Sequence, residues 1–238
     1  MLYYQHPHVK TLKAIADNWW REPKLNSLST SSLAVQDPYS EGVSRFVKWY
    51  RETEKIDLQM MTTSQLEREL WQFMVDIDEL FFFSLLTRKV EKQSGLDGLL
   101  RLRLTDQASD TCCGVFKQEP TSPYIRMYRK DHKGETWHFE EILGTLVHEM
   151  CHAFLDIFSD RRDPRFQEFV TDYEGHGEMF WVLLRFVARK LLSYTRSERW
   201  LTELTAMESE CIEMTQTTGE AGSWGTPEKV LMGGVWTP

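Results

Sequence analysis

The sequence is poor in cysteine and has no long apolar run, and each absence excludes a class of protein. Four of its 238 residues are cysteine and none are spaced as Cys-x-x-Cys. This excludes a zinc ribbon and argues against a disulfide scaffold. The longest apolar stretch, residues 80–86, is too short to cross a membrane. No basic flank followed by an apolar run opens the chain, so no signal peptide is predicted. We therefore expect an intracellular protein, nuclear or cytoplasmic, with no membrane partner.

Positive charge is also scarce, but unevenly so. The chain has 28 Lys and Arg against 36 Asp and Glu, a net charge of −8, which argues against nucleic-acid binding by the chain as a whole. Residues 201–238 hold 1 basic and 6 acidic residues, a balance of −5, whereas residues 100–200 hold 15 and 16, a balance of −1. A local basic patch that binds DNA or chromatin therefore stays open, with a solvated, mixed-charge surface as the alternative. The candidates for this patch are Arg126, Arg129, Lys130, Lys133, Arg161, Arg162 and Arg165.

The hydrophobic pattern predicts an α+β fold. A helix is expected from Ser64, because Ser64 and Glu67 have capping-box spacing and apolar residues follow at intervals of three and four. Gly95 is predicted to cap its C-terminus. Three short apolar stretches predict a small three-stranded antiparallel sheet, and two long helical patterns follow it. The strands are expected at 100–104, 111–116 and 124–128, and the helices at 139–158 and 177–194.

We expect three parts along the chain. Residues 1–62 are predicted to be an N-terminal helical or linker extension, because a possible helix at 9–20 is followed by a segment rich in Ser, Pro and Gly. Residues 63–200 are predicted to be the core. Residues 201–238 are predicted to be an acidic C-terminal helix and a flexible, glycine-rich tail.

The chemistry is concentrated in the first long helix, which contains an H-E-x-x-H motif. Residues four apart on a helix project from one face, so His148 and His152 can present imidazole nitrogens to the same metal ion. Glu149 lies one step round the helix, where its carboxylate can reach water beside the metal rather than the metal itself. Zn²⁺ is the ion expected for this motif. The alternative is two solvent-facing histidines on an amphipathic helix.

A catalytic zinc site needs a third protein ligand. The extended H-x-x-G-x-x-H pattern is absent, because Leu155 and Phe158 occupy the positions of its glycine and third histidine. His176, which lies between two glycines at the entrance to the next helix, is the first candidate, since glycines permit close backbone approach. The competing candidates are Asp172, Glu174 and Glu178, and an ordinary loop histidine is the further alternative.

Two segments resemble the SprT-like zinc metalloproteases: His-Glu-Met-Cys-His-Ala-Phe at 148–154 and Gly-His-Gly-x-x-Phe at 175–180. Looser similarity extends the resemblance over about residues 63–195. It implies a zincin-like protease core with an N-terminal helix, a small sheet and two metal-binding helices. It also implies His148, His152 and His176 as zinc ligands and Glu149 as general base. The stretch between His152 and His176 is longer than in the family, and the tail has no recognisable ubiquitin- or clamp-binding motif.

Three functions follow as hypotheses. The first is a zinc endopeptidase acting on protein substrates, with Tyr124, Tyr128 or Tyr173 as guesses for the residue that stabilises the oxyanion. The second is a non-catalytic, zinc-stabilised protein- or DNA-binding module, against which the intact Glu149 argues. The third is a protease that acts on DNA-bound or chromatin proteins, with the role in DNA–protein crosslink repair that the resemblance implies.

Overall fold

A computed structural model describes residues 38–92, 95–110, 112–119, 122–164, 166–167, 170, 176–200 and 202. The predicted helix at 9–20 and nearly all of the predicted C-terminal part lie outside these residues, and the division into three parts stays a prediction. In chain order, the elements are helix α1 (Pro38–Thr53), a 3₁₀ turn (Leu58–Met60), α2 (Thr63–Phe81), strands β1 (Lys89–Lys92), β2 (Gly95–Gly98), β3 (Arg101–Ala108), β4 (Gly114–Lys117) and β5 (Tyr124–Lys130), α3 (Phe139–Phe158) and α4 (Glu178–Thr195).

The predicted α+β class is confirmed, but the sheet is mixed rather than antiparallel. Its strand order is β3-β5-β4. Strand β4 pairs with β5 in the antiparallel sense, whereas β3 pairs with β5 in the parallel sense. The prediction was therefore wrong for one of the two strand pairs. The chain reverses direction twice between β3 and β5, so these two strands run the same way, and they become neighbours because β4 lies at the edge.

Helix α2 is capped differently from the prediction at both ends. At its start, Thr62 is the N-cap and forms a capping box with Gln65, two residues before the predicted pair. At its end, the helix stops at Phe81, and Phe83 and Ser84 follow with left-handed φ angles of 60° and 56°. The buried carboxylate of Asp78 accepts hydrogen bonds from the next segment of the chain. The backbone N–H groups of Leu86 and Thr87 donate to it at 3.1 and 2.7 Å. These bonds hold the segment that follows the helix against its last turn.

Gly95 is consequently not a helix cap but the first residue of β2, so that prediction was wrong. Strands β1 and β2 form a separate antiparallel hairpin that the sequence pattern did not predict. The two segments read Lys-Val-Glu-Lys and Gly-Leu-Asp-Gly, with one apolar residue in each. Four residues with a single apolar position show no period-two alternation, which is the signal for a half-buried strand.

One hydrophobic core joins the helices to one face of the three-stranded sheet. From β5, Ile125 and Met127 are fully buried, and α1 adds Phe46 and Tyr50 to the same core. Strand β4 lies close to α3 because position 114 is glycine. A Cβ atom there would lie 2.7 Å from Met127 Sδ and 2.9 Å from Thr145 Cγ2. The edge of the sheet is therefore held against the helix that carries the H-E-x-x-H motif.

No helix among the described residues is both long and apolar enough to cross a membrane.

Candidate metal centre

Helix α3 presents the first two histidines of the candidate site. It spans Phe139–Phe158, as predicted, and its apolar side is buried against the core. One helical turn separates His148 from His152, so both side chains project from the same face. Their Nε2 atoms lie 3.1 Å apart. The motif therefore forms a pair of converging imidazoles rather than two solvent-facing histidines.

His176 completes the cluster from the segment that leads into α4. It directly precedes Gly177, the N-cap of that helix. Its Nε2 atom lies 3.1 Å from that of His148 and 3.2 Å from that of His152. Of the competing ligands, Asp172 and Glu174 lie outside the described residues, as does the side chain of Glu178. The three histidines form a group that could hold a metal ion.

The dimensions and protonation of this group fit zinc. Two nitrogens at the usual zinc distance, on tetrahedral directions, lie roughly 3.3 Å apart. The observed separations of 3.1 to 3.2 Å are close to this value. Burial, aided by the neighbouring histidines, lowers the pKa of His148 to about 4 and that of His152 to about 3. Both rings are therefore neutral at physiological pH, the form in which imidazole binds a metal.

Phe180 of α4 contacts all three histidines. Its ring centroid lies 4.2 Å from that of His152, in a stacked arrangement with an interplanar angle of 22°. The corresponding distances are 4.8 Å to His148 and 4.6 Å to His176. Phe180 is fully buried. One aromatic ring thus packs against all three imidazoles and helps to fix their orientations.

Phe180→Leu is expected to weaken zinc binding about 10- to 100-fold, the usual effect of losing a group that orients metal ligands. Leucine keeps the site apolar but lacks the flat surface against which His152 stacks. Competition with a zinc-binding dye measures the affinity. Phe186→Leu is the matched control, because Phe186 lies on the same helix and packs against Phe81. Equal zinc affinity of the two variants would contradict this role for Phe180.

Glu149 lies beside the histidines but is held by the sheet. Its side chain is 7% exposed, and its Oε2 accepts a hydrogen bond of 2.6 Å from the backbone N–H of Phe116. Burial raises the pKa of Glu149 to about 7, while this hydrogen bond and the charge of Lys117 act in the opposite direction. The contact with Phe116 was not predicted. It depends on a backbone group in a strand 33 residues away, which no side-chain pattern reveals.

The tyrosines suggested for oxyanion stabilisation are not beside the histidines in the described part of the chain. Tyr124 and Tyr128 alternate along β5 with the core residues Ile125 and Met127. They consequently lie on the face of the sheet turned away from the helices. Tyr173 lies outside the described residues.

The residues suggested for a basic patch differ in exposure and in the groups that they contact. Arg126 and Lys130 share the outer face of β5, on alternate positions. Arg129 points into the protein, is 8% exposed and donates hydrogen bonds to the backbone carbonyls of Leu58 and Met61. Arg161 forms an ion pair with Asp156. Arg165 lies outside the described residues, and a basic patch that binds DNA stays a prediction.

No protein-family model, curated protein or solved structure matches this chain. The His148, His152 and His176 cluster is consistent with a zincin-like H-E-x-x-H…H metal site.

Proposed function

We propose that this protein is a zinc-dependent endopeptidase of the SprT-like type. His148, His152 and His176 would hold the ion, and Glu149 would act as general base. The observation that carries the proposal is the convergence of three Nε2 atoms, 3.1 to 3.2 Å apart, next to a buried carboxylate that is not one of the ligands. A purely structural zinc site does not need such a carboxylate.

The roles of the residues follow from this arrangement. A zinc ion held by three histidines supplies Lewis-acid chemistry, which polarises a peptide carbonyl and makes water easier to deprotonate. Glu149 accepts the proton of the attacking water on its carboxylate and transfers it to the nitrogen of the leaving amine. The hydrogen bond from Phe116 fixes the orientation of that carboxylate. The surrounding core keeps bulk water away from it.

The edge of β4 offers a place for the peptide substrate. Among the described residues, no strand pairs with this edge. Tyr128 N–H donates a hydrogen bond to the carbonyl of Cys113, so this pair is a hydrogen-bonded one. Hydrogen-bonded pairs alternate along an antiparallel ladder, and the backbone groups of Val115 and Lys117 therefore also point towards β5. Those of Gly114 and Phe116 point outward, and Phe116 N–H indeed reaches Glu149. A peptide added along this edge would lie beside the general base.

Metal removal tests the proposal against the non-catalytic alternative. The purified chain is expected to contain stoichiometric zinc by mass spectrometry and to cleave an unfolded protein such as casein. Treatment with a chelator should abolish cleavage, and added zinc should restore it. Circular dichroism of the chelated chain shows whether the fold persists. Stoichiometric zinc without cleavage of either unfolded or DNA-bound protein would favour the binding module instead.

DNA-bound or chromatin proteins as substrates stay a prediction from the resemblance. Stimulation of cleavage by single-stranded DNA, decreasing with salt, would support this finer assignment.

A further inference from the structure

The outer face of the three-stranded sheet, opposite the core, carries a cluster of positive charge. Because Ile125 and Met127 are buried, the residues that alternate with them on β5 point outward. By register, Arg103 of β3 lies opposite Arg126, and Lys117 of β4 lies opposite Tyr124. We call Arg103, Lys117, Arg126 and Lys130 the cationic face. None of the residues that these registers place outward on the three strands is acidic.

Two of the four charges of the cationic face, those of Arg103 and Arg126, are held in place by an aromatic ring. The guanidinium of Arg103 lies 3.9 Å from the ring centroid of Tyr124, and that of Arg126 lies 5.5 Å from it. Arg126 also donates a hydrogen bond of 3.0 Å to the Tyr124 hydroxyl. Like charges directly opposite each other on a sheet are destabilising. A bound anion would offset this repulsion, and the ordered guanidinium groups lower the entropy cost of binding it.

The cationic face adjoins the proposed cleft at the β4 edge. Lys117 directly follows Phe116, whose N–H is bound by Glu149. The side chains of Phe116 and Lys117 point to opposite faces of the sheet. Lys117 therefore lies on the outer side of the β4 edge, and Glu149 lies next to that edge. A peptide along this edge would therefore meet both groups.

We infer that the cationic face selects protein substrates that carry acidic side chains next to the scissile bond. The inference rests on the proposed endopeptidase function and names its substrate class. A strand added along β4 places every second side chain on the outer face, beside Lys117 and within reach of Arg126 for a long side chain. Carboxylates at those alternate positions meet the positive charge, whereas basic side chains there are repelled.

The observations favour an acidic peptide over a nucleic acid as the occupant. Single-stranded nucleic acids are bound largely by bases stacking on exposed aromatic rings. The ring of Tyr124 is covered by Arg103, and Tyr124 is only 4% exposed. The net charge of −8 also repels a long polyanion that extends beyond the patch. A short acidic segment engages the cationic face alone.

The test uses binding to the full-length Glu149→Gln chain, so that no peptide is cleaved. Fluorescence anisotropy compares matched peptides in which alternate positions are Glu, Gln or Lys. We expect the Glu peptide to bind about tenfold more tightly than the Gln peptide, since several exposed charge pairs contribute a few-fold each. Adding Lys117→Gln to the Glu149→Gln chain should reduce the ratio of the two affinities. Adding Lys117→Glu and Arg126→Glu together should reverse the preference, so that the Lys peptide binds most tightly.

The control pair is Lys48→Glu and Arg51→Glu, which makes the same change in net charge on exposed positions of α1. Its preference among the three peptides should match that of the Glu149→Gln chain. Thermal melting shows whether a variant has lost its fold. If the Lys117→Glu and Arg126→Glu pair has, Lys117→Gln, which only removes one charge, is used in its place. The inference is overturned if the three peptides bind equally, or if the control pair reverses the preference equally.

An oligothymidylate probe tests the nucleic-acid alternative. Tighter binding of oligothymidylate than of the Glu peptide, lost in the Lys117→Glu and Arg126→Glu pair, would also overturn the inference. In the wild-type chain, the charge preference should appear in KM rather than in kcat. Cleavage of Glu and Gln peptides with equal KM would overturn the inference about substrate charge and leave the proposed endopeptidase function intact. Selective binding without any cleavage by the wild type would instead contradict the proposed function.

Discussion

Glu149→Gln is expected to retain zinc and to lower the rate of peptide hydrolysis by a factor of about 100 to 10,000, the usual contribution of a general base. Glutamine has nearly the same shape as glutamate, and its amide oxygen can accept the hydrogen bond that Phe116 N–H donates to Glu149. The orientation of the side chain is therefore preserved. The amide cannot take up the proton of the attacking water, so the chemical step loses its base.

Two measurements together check this prediction. Zinc content by mass spectrometry should be the same in the variant and the wild type, and kcat should decrease with little change in KM. Asp156→Asn is the matched control, because Asp156 lies on the same helix and pairs with Arg161 at the surface. It should cleave at close to the wild-type rate. Wild-type turnover by Glu149→Gln would exclude Glu149 as the base.

Loss of zinc from Glu149→Gln would mean something different. The carboxylate would then help to hold the ion, although the candidate metal group contains only the three histidines among the described residues. The variant therefore separates a base from a ligand, and activity alone would not. This is why the metal measurement belongs beside the kinetics.

Local patterns predicted the parts of the fold that depend on neighbouring residues. The bounds of α3 were predicted correctly, because its apolar residues recur at helical spacing over the whole element. The same spacing places His148 and His152 on one face, and this is why their convergence could be predicted. In both cases the periodicity of one helix carries all the necessary information.

Long-range pairing could not be predicted in the same way. The parallel pairing of β3 with β5 depends on which strand occupies the sheet edge, and alternation within a strand does not show this. The segment after α2 is held by the Asp78 carboxylate, which accepts hydrogen bonds from two later N–H groups. The hydrogen bond from Phe116 to Glu149 likewise joins a backbone group to a distant helix. Each of these features needs the packed structure.

His176→Ala is expected to weaken zinc binding about 100- to 1,000-fold and to abolish cleavage at limiting zinc. The free energy of zinc binding to a structural site is about 10–16 kcal/mol over four ligands, which assigns roughly 3–4 kcal/mol to each ligand. Alanine removes the nitrogen that lies 3.1 and 3.2 Å from those of His148 and His152. Only these two histidines would then bind the ion.

The same experiment tests the choice of the third ligand, the step at which sequence reasoning left most alternatives. Competition with a zinc-binding dye gives the affinity of His176→Ala, and of Glu174→Gln and Asp172→Asn, which replace competing carboxylates. His132→Ala, at an exposed position, is the control for removing a histidine. We expect only His176→Ala to lose affinity. Wild-type affinity in His176→Ala with a large loss in Glu174→Gln would instead make the third ligand a carboxylate. The centre would then resemble the two-histidine, one-glutamate zinc sites of other metallopeptidases.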